Sequence, residues 1–392
     1  MPNSADIAII GGGIMGAAIA HFLSFQAVFP GKVTVIERDP NYENCATTRS
    51  WGGIRRQFTL EENVNISLFM TEFLKSASAR LTVAEIPPNL GFQPSGYLFL
   101  ASQKGAAALE SAVAIQNRLG AETKLLSQAE LATAFPWLET ADLAAGAYGG
   151  ETEGWLDPHA LLMAYRARAR ADGVEFVHDE VVAVRKSGNR LDSIELKQAG
   201  RFNADVVVNA AGPWSGDVAE MFGCPLPVEP RKRMTFVFDC RSPLPPLPLT
   251  IDPSGLAFRP ESGQFLALHS PPEDNDPRGE DLELELASFE SELWPILATR
   301  VPAFEAIKMS RAWAGFYDYN YLDQNGIIGP HPDIENLYFC SGFSGHGIQQ
   351  SAAAGRAMME LITSGSYQTL DLRRLGYERI LSGRPLSEIN IV

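Results

Sequence analysis

Three glycines placed between a strand and a helix constrain this chain more than anything else in it. Asp6–Ile10 is an apolar run of strand length, Gly11-Gly-Gly-Ile-Met-Gly16 follows at once, and Ala17–Phe25 has helix-forming composition with apolar residues on one face. Val33–Ile36 then reads as a second strand ending on Glu37. The unit has the order and length of a βαβ crossover. In such a unit Gly11 permits the tight turn, Gly13 removes the Cβ that would block a pyrophosphate, and Gly16 lets helix and strand pack closely. The helix start offers N–H groups and partial positive charge to phosphates. Glu37, 21 residues after Gly16, stands where a carboxylate accepts hydrogen bonds from ribose hydroxyls and repels a 2′-phosphate. A dinucleotide such as FAD or NAD is therefore expected, and NADP is disfavoured. The chain has no second G-x-G-x-x-G, which argues against separate flavin and nicotinamide sites.

The uncharged run Ala8–Phe29 is long enough to suggest a membrane span, but its four glycines, His21, Ser24 and Gln26 favour a strand, a turn and a buried helix. With 32 Lys and Arg against 47 Asp and Glu, the net charge of −15 excludes a basic nucleic-acid-binding face; the acidic surface reads as solvation. At roughly 150 residues per domain, 392 residues imply two or three domains. The first basic residue is Lys32, so the opening has neither the charged start of a secretory signal nor an Arg-rich transit face, and a cytoplasmic protein with no integral membrane segment is expected. Cys45, Cys224, Cys240 and Cys340 are far apart with no CxxC pair, which points to reduced, mostly buried thiols and no metal site.

Helical patterns recur at Glu61–Leu81, Gly105–Leu119 and Pro158–Asp172, with strand-like pieces at Gly96–Leu100, Val174–Val177, Glu180–Val184 and Arg190–Gln198. Ala204–Gly212 is a continuous apolar strand of the kind found at the centre of a parallel sheet, and it stops on small residues. Residues 225–277 hold 12 of the 26 prolines; interleaved strands at Met234–Asp239 and Phe265–His269 make these loops rather than a polyproline ligand. Helical periodicity returns at Ala352–Ile362, directly after Gly342-Phe-Ser-Gly-His-Gly347. The alternation places the chain in the α/β or α+β class.

Four stretches together carry a family resemblance: the N-terminal fingerprint, the loop Cys45-Ala-Thr-Thr-Arg-Ser-Trp-Gly-Gly-Ile-Arg55, the strand end Asn209-Ala-Ala-Gly-Pro-Trp-Ser215, and Gly342–Gly347. In these the chain resembles the D-amino-acid oxidase superfamily of FAD-dependent oxidoreductases, on its sarcosine oxidase and dimethylglycine dehydrogenase side. Arg49–Arg55, Pro230-Arg-Lys-Arg233, Phe343–Gln350 and the ending Ile389–Val392 resemble more closely the FAD-dependent oxidoreductase domain-containing proteins associated with complex I assembly. The resemblance implies a Rossmann-type FAD-binding domain, residues 1–85, 155–225 and 326–392, interleaved with a substrate domain, residues 86–154 and 226–325, built on a large, mainly antiparallel sheet. By position it implies that Gly11, Gly13, Ile14 and Met15 face the pyrophosphate and that Glu37 and Arg38 bind the AMP side. Thr47, Ser50 and Gly52 would line the pyrophosphate and ribityl chain, Val182 would touch adenine through its backbone, and Ala211, Gly212 and Trp214 would close the groove. Gly315, Gly342, Gly345, His346, Gly347 and Gln349 would contact the ribityl chain and the flavin ring. A helix N-terminus at the glycine motif would favour the anionic reduced flavin.

Departures from the family pattern shape the functional expectation. The segment Arg311–Gly329 lacks the cysteine to which sarcosine oxidases attach FAD, so noncovalent FAD is expected; linkage through another residue stays open. Gln349 replaces a carboxylate-binding lysine, and Leu266 stands where an oxygen-activating lysine aligns loosely. The candidates for catalysis are Arg55, a bidentate anchor for a carboxylate or else an internal ion pair; Tyr317, and with it Tyr319, facing the pocket or packing in the core; and His346, orienting the cofactor or accepting a proton. Arg259 and His269 are weaker candidates, and His21, Trp137 and Trp155 read as structural. The leading expectation is oxidation of the CH–NH bond of an amino acid or of a secondary or N-methylated amine, by hydride transfer to flavin N5 and hydrolysis of the imine. Electrons would pass to oxygen, a quinone or an electron-transfer protein. An assembly factor that retains FAD with little turnover, and a 2-hydroxy acid oxidase on the same scaffold, are the alternatives.

Overall fold

In the computed structural model, which describes residues 4–271, 276–279 and 281–389, the opening βαβ unit comprises the strand Ser4–Ile10, the helix Ile14–Ser24 and the strand Val33–Glu37. Of the ending Ile389–Val392, residues 390–392 lie outside the described part, as do residues 272–275 of the proline-rich stretch. Ser4–Ile10 pairs in parallel with Val33–Glu37 on one side and Gly200–Asn209 on the other. Leu337–Ser341 adds in parallel beyond Gly200–Asn209, and Glu175–His178 beyond Val33–Glu37. The antiparallel edge Ile327–Pro330 and the hairpin Val181–Ser187/Arg190–Leu196 complete eight strands. The central strands turn apolar in their second halves, Ile7–Ile10 and Val206–Val208, where both faces are covered. Ile7, Ile9, Val35 and Val208 pack with residues of the helices Ile14–Ser24, Pro158–Ala171 and Gly347–Ser364, while Ala8, Ile10, Ile36 and Val207 pack with Phe202, Phe222 and Tyr377.

A second eight-stranded sheet runs in the order Ile307–Asn320, Val228–Cys240, Gln264–His269, Leu256–Glu261, Leu249–Ile251, Tyr97–Ser102, Leu143–Tyr148 and Lys124–Ser127. Every junction is antiparallel except that of Leu249–Ile251 with Tyr97–Ser102. The architecture is therefore the expected α/β combination of a parallel-cored sheet and a large, mainly antiparallel one. Alternation sends Leu98 and Leu100 into a core with Phe236, Phe258 and Phe304, and Tyr97 and Phe99 to the opposite face with Leu249, Ile251 and Ala257.

Two elements extend further than the sequence pattern indicates. Val228–Cys240 is a strand of 13 residues rather than Met234–Asp239 alone, and the helix after the C-terminal glycines begins at Gly347, not Ala352. Residues Ser242–Pro248, with their four prolines, form the connection between two strands, as expected. Among the described residues no helix is long and apolar enough to cross a membrane.

Candidate functional site

A cleft of about 570 Å³ is bounded by both sheets and runs from the first glycine motif to the start of the Gly347–Ser364 helix. At its first end the three motif glycines divide by cause. A Cβ on Gly11, whose φ is +97°, would lie 2.4 Å from the Ala210 carbonyl oxygen, and one on Gly16 would lie 1.9 Å from that of Gly11. Both are demanded by the protein's own packing. A Cβ on Gly13 would meet only Cys45 Sγ and Thr47 Oγ1, each at 3.5 Å, which is ordinary contact; bareness here serves whatever occupies the cleft. Thr47 Oγ1 accepts the Ile14 N–H at 3.1 Å and so fixes the loop over the helix start. Glu37 is held by the Gly12 N–H at 2.6 Å and the Asp39 N–H at 2.7 Å, while burial pushes its carboxyl above the usual range. The Arg38 guanidinium lies 4.6 Å over the Trp214 ring, which meets Phe316 edge-on at 5.8 Å. Ser50, Ala211 and Gly212 continue the lining.

At the other end Arg49 donates to the Ala314 carbonyl at 2.7 Å, and a Cβ on Gly315 would lie 2.9 Å from Arg49 Cβ. Tyr317 lies flat enough against Gly345 that a Cβ there would be 2.4 Å from its ring. The Arg55 backbone N–H donates to Gln349 Oε1 at 2.8 Å, and its guanidinium donates to the Gln57 carbonyl and stacks 4.0 Å over Phe58. One guanidinium nitrogen lies 3.0 Å from His346 Nε2. A guanidinium only donates, so His346 Nε2 accepts, its proton sits on Nδ1, and the ring is neutral. Burial and the Arg55 charge push its pKa down to about 3.

Most of the residues singled out in the sequence meet in this cleft: Gly11, Gly13, Ile14, Met15, Glu37, Arg38, Thr47, Ser50, Arg55, Ala211, Gly212, Trp214, Gly315, Tyr317, Gly345, His346, Gly347 and Gln349 line it. Gly52 does not. Its φ is +68°, and a Cβ would lie 2.0 Å from the carbonyl oxygen of Leu156, whose N–H donates to the Gly52 carbonyl at 2.9 Å. Gly342 also turns away, toward Val228 and Asn320. Val182 exposes its side chain, and its neighbour Val181 takes the lining position. Tyr319 lies under Arg231 rather than on the cleft, and Arg259 pairs with Glu261 while its guanidinium lies 4.8 Å over Trp155.

Sequence reasoning missed Tyr97, Arg233, Asp318 and an apolar wall of Leu249, Ile251, Ala257 and Leu268. Arg233 stood in the quoted Pro230–Arg233 run; it forks onto Asp276 at 2.8 and 2.7 Å and lies 5.1 Å over Tyr317. Strict alternation would put Asp318 opposite Tyr317, yet the cleft wraps the end of this strand. Asp318 accepts the Phe343 N–H at 3.0 Å, and burial raises its pKa to about 6.

Residues 6–361 match the family described as FAD dependent oxidoreductase (DAO). The chain belongs to that family. FAD is accordingly its cofactor, and the bare approach at Gly13, the helix start and the Glu37 carboxylate fit it. Over 422 residues the chain is 40% identical to FAD-dependent oxidoreductase domain-containing protein 1 of Bos taurus, covering 99% of this chain and 87% of that one. It is 25% identical to glycine oxidase of Geobacillus kaustophilus, covering 92% and 94%. The solved structure of L-proline dehydrogenase from P. horikoshii superposes with a TM-score of 0.85 at 26% identity, covering 98% of this chain and all of that one.

Proposed function

We propose that this FAD-dependent oxidoreductase oxidises the CH–NH bond of an amino acid or of a secondary or N-methylated amine. The observation that carries the reading is the fixed Arg55 cation at the cleft end opposite the nucleotide groove, beside the Gly347 helix start and an apolar wall. Similar proteins bear the names glycine oxidase and L-proline dehydrogenase, which supports an amino-acid substrate. Arg55 holds the substrate carboxylate, and Tyr317 walls the reacting carbon. His346 positions Arg55 through its lone pair; a neutral ring already bonded to a cation is not the base. When bound, FAD would supply a two-electron acceptor for the hydride that leaves the carbon next to a neutral amine; the nitrogen lone pair closes the C=N bond, and water hydrolyses the iminium to the carbonyl compound and the departing ammonium.

Gly11, Gly13, Ile14, Met15, Glu37, Arg38, Thr47, Ser50, Ala211, Gly212 and Trp214 hold the nucleotide half of FAD, and Gly315, Gly345, Gly347 and Gln349 the ring half. The binding is noncovalent. The FAD part is residues 1–85, 155–225 and 326–392 and the substrate part 86–154 and 226–325, a division supported by the way the strands segregate between the two large sheets. The protein works in the cytoplasm, on a small molecule, with oxygen, a quinone or an electron-transfer protein as acceptor.

An anaerobic screen of amines, amino acids and 2-hydroxy acids tests the reaction. Bleaching of the flavin by amines or amino acids is expected; bleaching by hydroxy acids alone, or by nothing, overturns the proposal, the second outcome favouring an FAD-retaining assembly factor.

A further inference from the structure

The far wall of the cleft is a single face of the antiparallel sheet, and its register makes it continuous. Ile251 is the direct cross-strand partner of Ala257, Ala257 that of Leu268, and Leu249 that of Tyr97. All five are buried and all line the cleft. Ala257 is the small member of its row, flanked by Ile251 and Leu268, so the row has a notch one side chain wide.

The charges around this wall leave little for a charged ligand group. The cleft carboxylates Glu37, Asp39, Asp179, Glu180 and Asp217 sit on the elements of the nucleotide end. Asp318, the remaining one among the described residues, faces the backbone N–H groups of the Gly342–Ser344 turn. Among the described residues, a substrate ammonium on a side chain would find no carboxylate on the apolar face. A second substrate carboxylate would find Arg233 already forked onto Asp276 and Arg259 paired with Glu261. A charge buried without a partner is costly, whereas an aliphatic group gains from the same surface.

Resting on the amine-oxidation reading above, we propose that the substrate carries a branched or cyclic aliphatic side chain that enters the notch at Ala257, making Ala257 a residue that sets specificity. Sarcosine and glycine leave the notch empty, and substrates with a second charge are rejected.

The test is anaerobic reduction of the flavin in the holoenzyme by both stereoisomers of N-methylalanine, N-methylvaline, N-methylleucine and proline, against sarcosine, N-methylaspartate and N-methyllysine. The rate constant per molar substrate is expected to rise about fourfold for each methylene buried and to fall for the charged members to below that of sarcosine. Ala257→Leu fills the notch and is expected to lower the rate for N-methylleucine relative to that for sarcosine at least tenfold, whatever it does to the rate common to both. Leu268→Ala enlarges the notch and is expected to shift the optimum to bulkier side chains, which keeps the idea testable if the first variant folds poorly. Should sarcosine or a charged member match the aliphatic ones, the specificity proposal is overturned while amine oxidation stands. If no amine or amino acid bleaches the flavin, amine oxidation itself fails and the specificity falls with it.

Discussion

At the scale of single residues, the fingerprint glycines show how one motif mixes two causes. Their spacing was legible because strand, turn and helix follow without a gap, but spacing alone assigns all three to the ligand. The atomic contacts separate them: Gly11 and Gly16 are required by the Ala210 and Gly11 carbonyls, and Gly13 by nothing within the protein. Opposite outcomes follow for two alanine variants. Gly11→Ala forces a Cβ onto a φ of +97° and into a carbonyl, and is expected to lower folding stability by about 1–3 kcal/mol in the FAD-free protein. Gly13→Ala is expected to leave that stability unchanged while weakening FAD at least tenfold. Thermal unfolding of the apoprotein with a flavin titration of each variant checks both; equal loss of stability in the two would contradict the division. Gly52 and Gly342 show the reverse case. A glycine in a recognisable loop looks like a ligand contact, and only the Leu156 carbonyl and Val228 reveal a packing demand.

Among elements, the sequence was readable where one pattern ruled and obscure where two met. Glu61–Leu81 and the parallel strands appear as periodicity implies, because one stripe or two covered faces decide them. The first half of Val228–Cys240 was hidden by Pro230. It is tolerated because this half of the strand pairs with Ile307–Asn320 alone, Gln264–His269 joining only at Phe236–Phe238. The start of Gly347–Ser364 was hidden because its first turn, Gly347-Ile-Gln-Gln, is chosen by the cleft and not by periodicity. Long-range anchoring leaves no local signal at all. The Glu61–Leu81 helix follows Leu60, which supplies no side-chain cap. Glu388, more than 300 residues away, accepts the N–H groups of Thr59 and Leu60, just before the helix, at 2.8 and 2.9 Å and the Asn63 side-chain amide at 3.2 Å, and so fixes the entry to the helix. Glu388→Ala is expected to cost about 1–3 kcal/mol and to speed amide exchange selectively at residues 59 and 60. An exchange pattern there identical to the parent protein would show that the tail carboxylate does not hold the entry to this helix.

For the whole molecule, the interleaving of the two sheets came from resemblance and not from spacing, since nothing local says that Gly200–Asn209 returns beside Ser4–Ile10. The fold that results buries titratable groups of opposite tendency, and their balance sets how the apoprotein responds to acid. His346, against Arg55, and His21, between Phe22, Phe25 and Tyr165 with Arg80 and Arg168 near, are both pushed down to about 3. An unfolded chain protonates each near pH 6.5. Between pH 6 and 4 each histidine therefore holds a proton only when unfolded, and stability falls as pH falls, by about 1.4 kcal/mol per unit for each. Asp318 acts the other way. Its folded pKa of about 6 exceeds the ordinary 3.8, so over the same window the folded state holds the extra proton and gains stability on acidification. His346→Gln, which keeps an acceptor for Arg55, is thus expected to flatten the slope of unfolding free energy against pH by about 1.4 kcal/mol per unit between pH 6 and 4. Asp318→Asn, which keeps an acceptor for the Phe343 N–H, is expected to steepen it by a similar amount. Denaturant unfolding of the apoprotein at pH 4, 5, 6 and 8 reads both slopes. Were the His346→Gln slope equal to that of the parent, the imidazole would exchange its proton freely in the folded state. It would then be available as the base that its bond to Arg55 denies it.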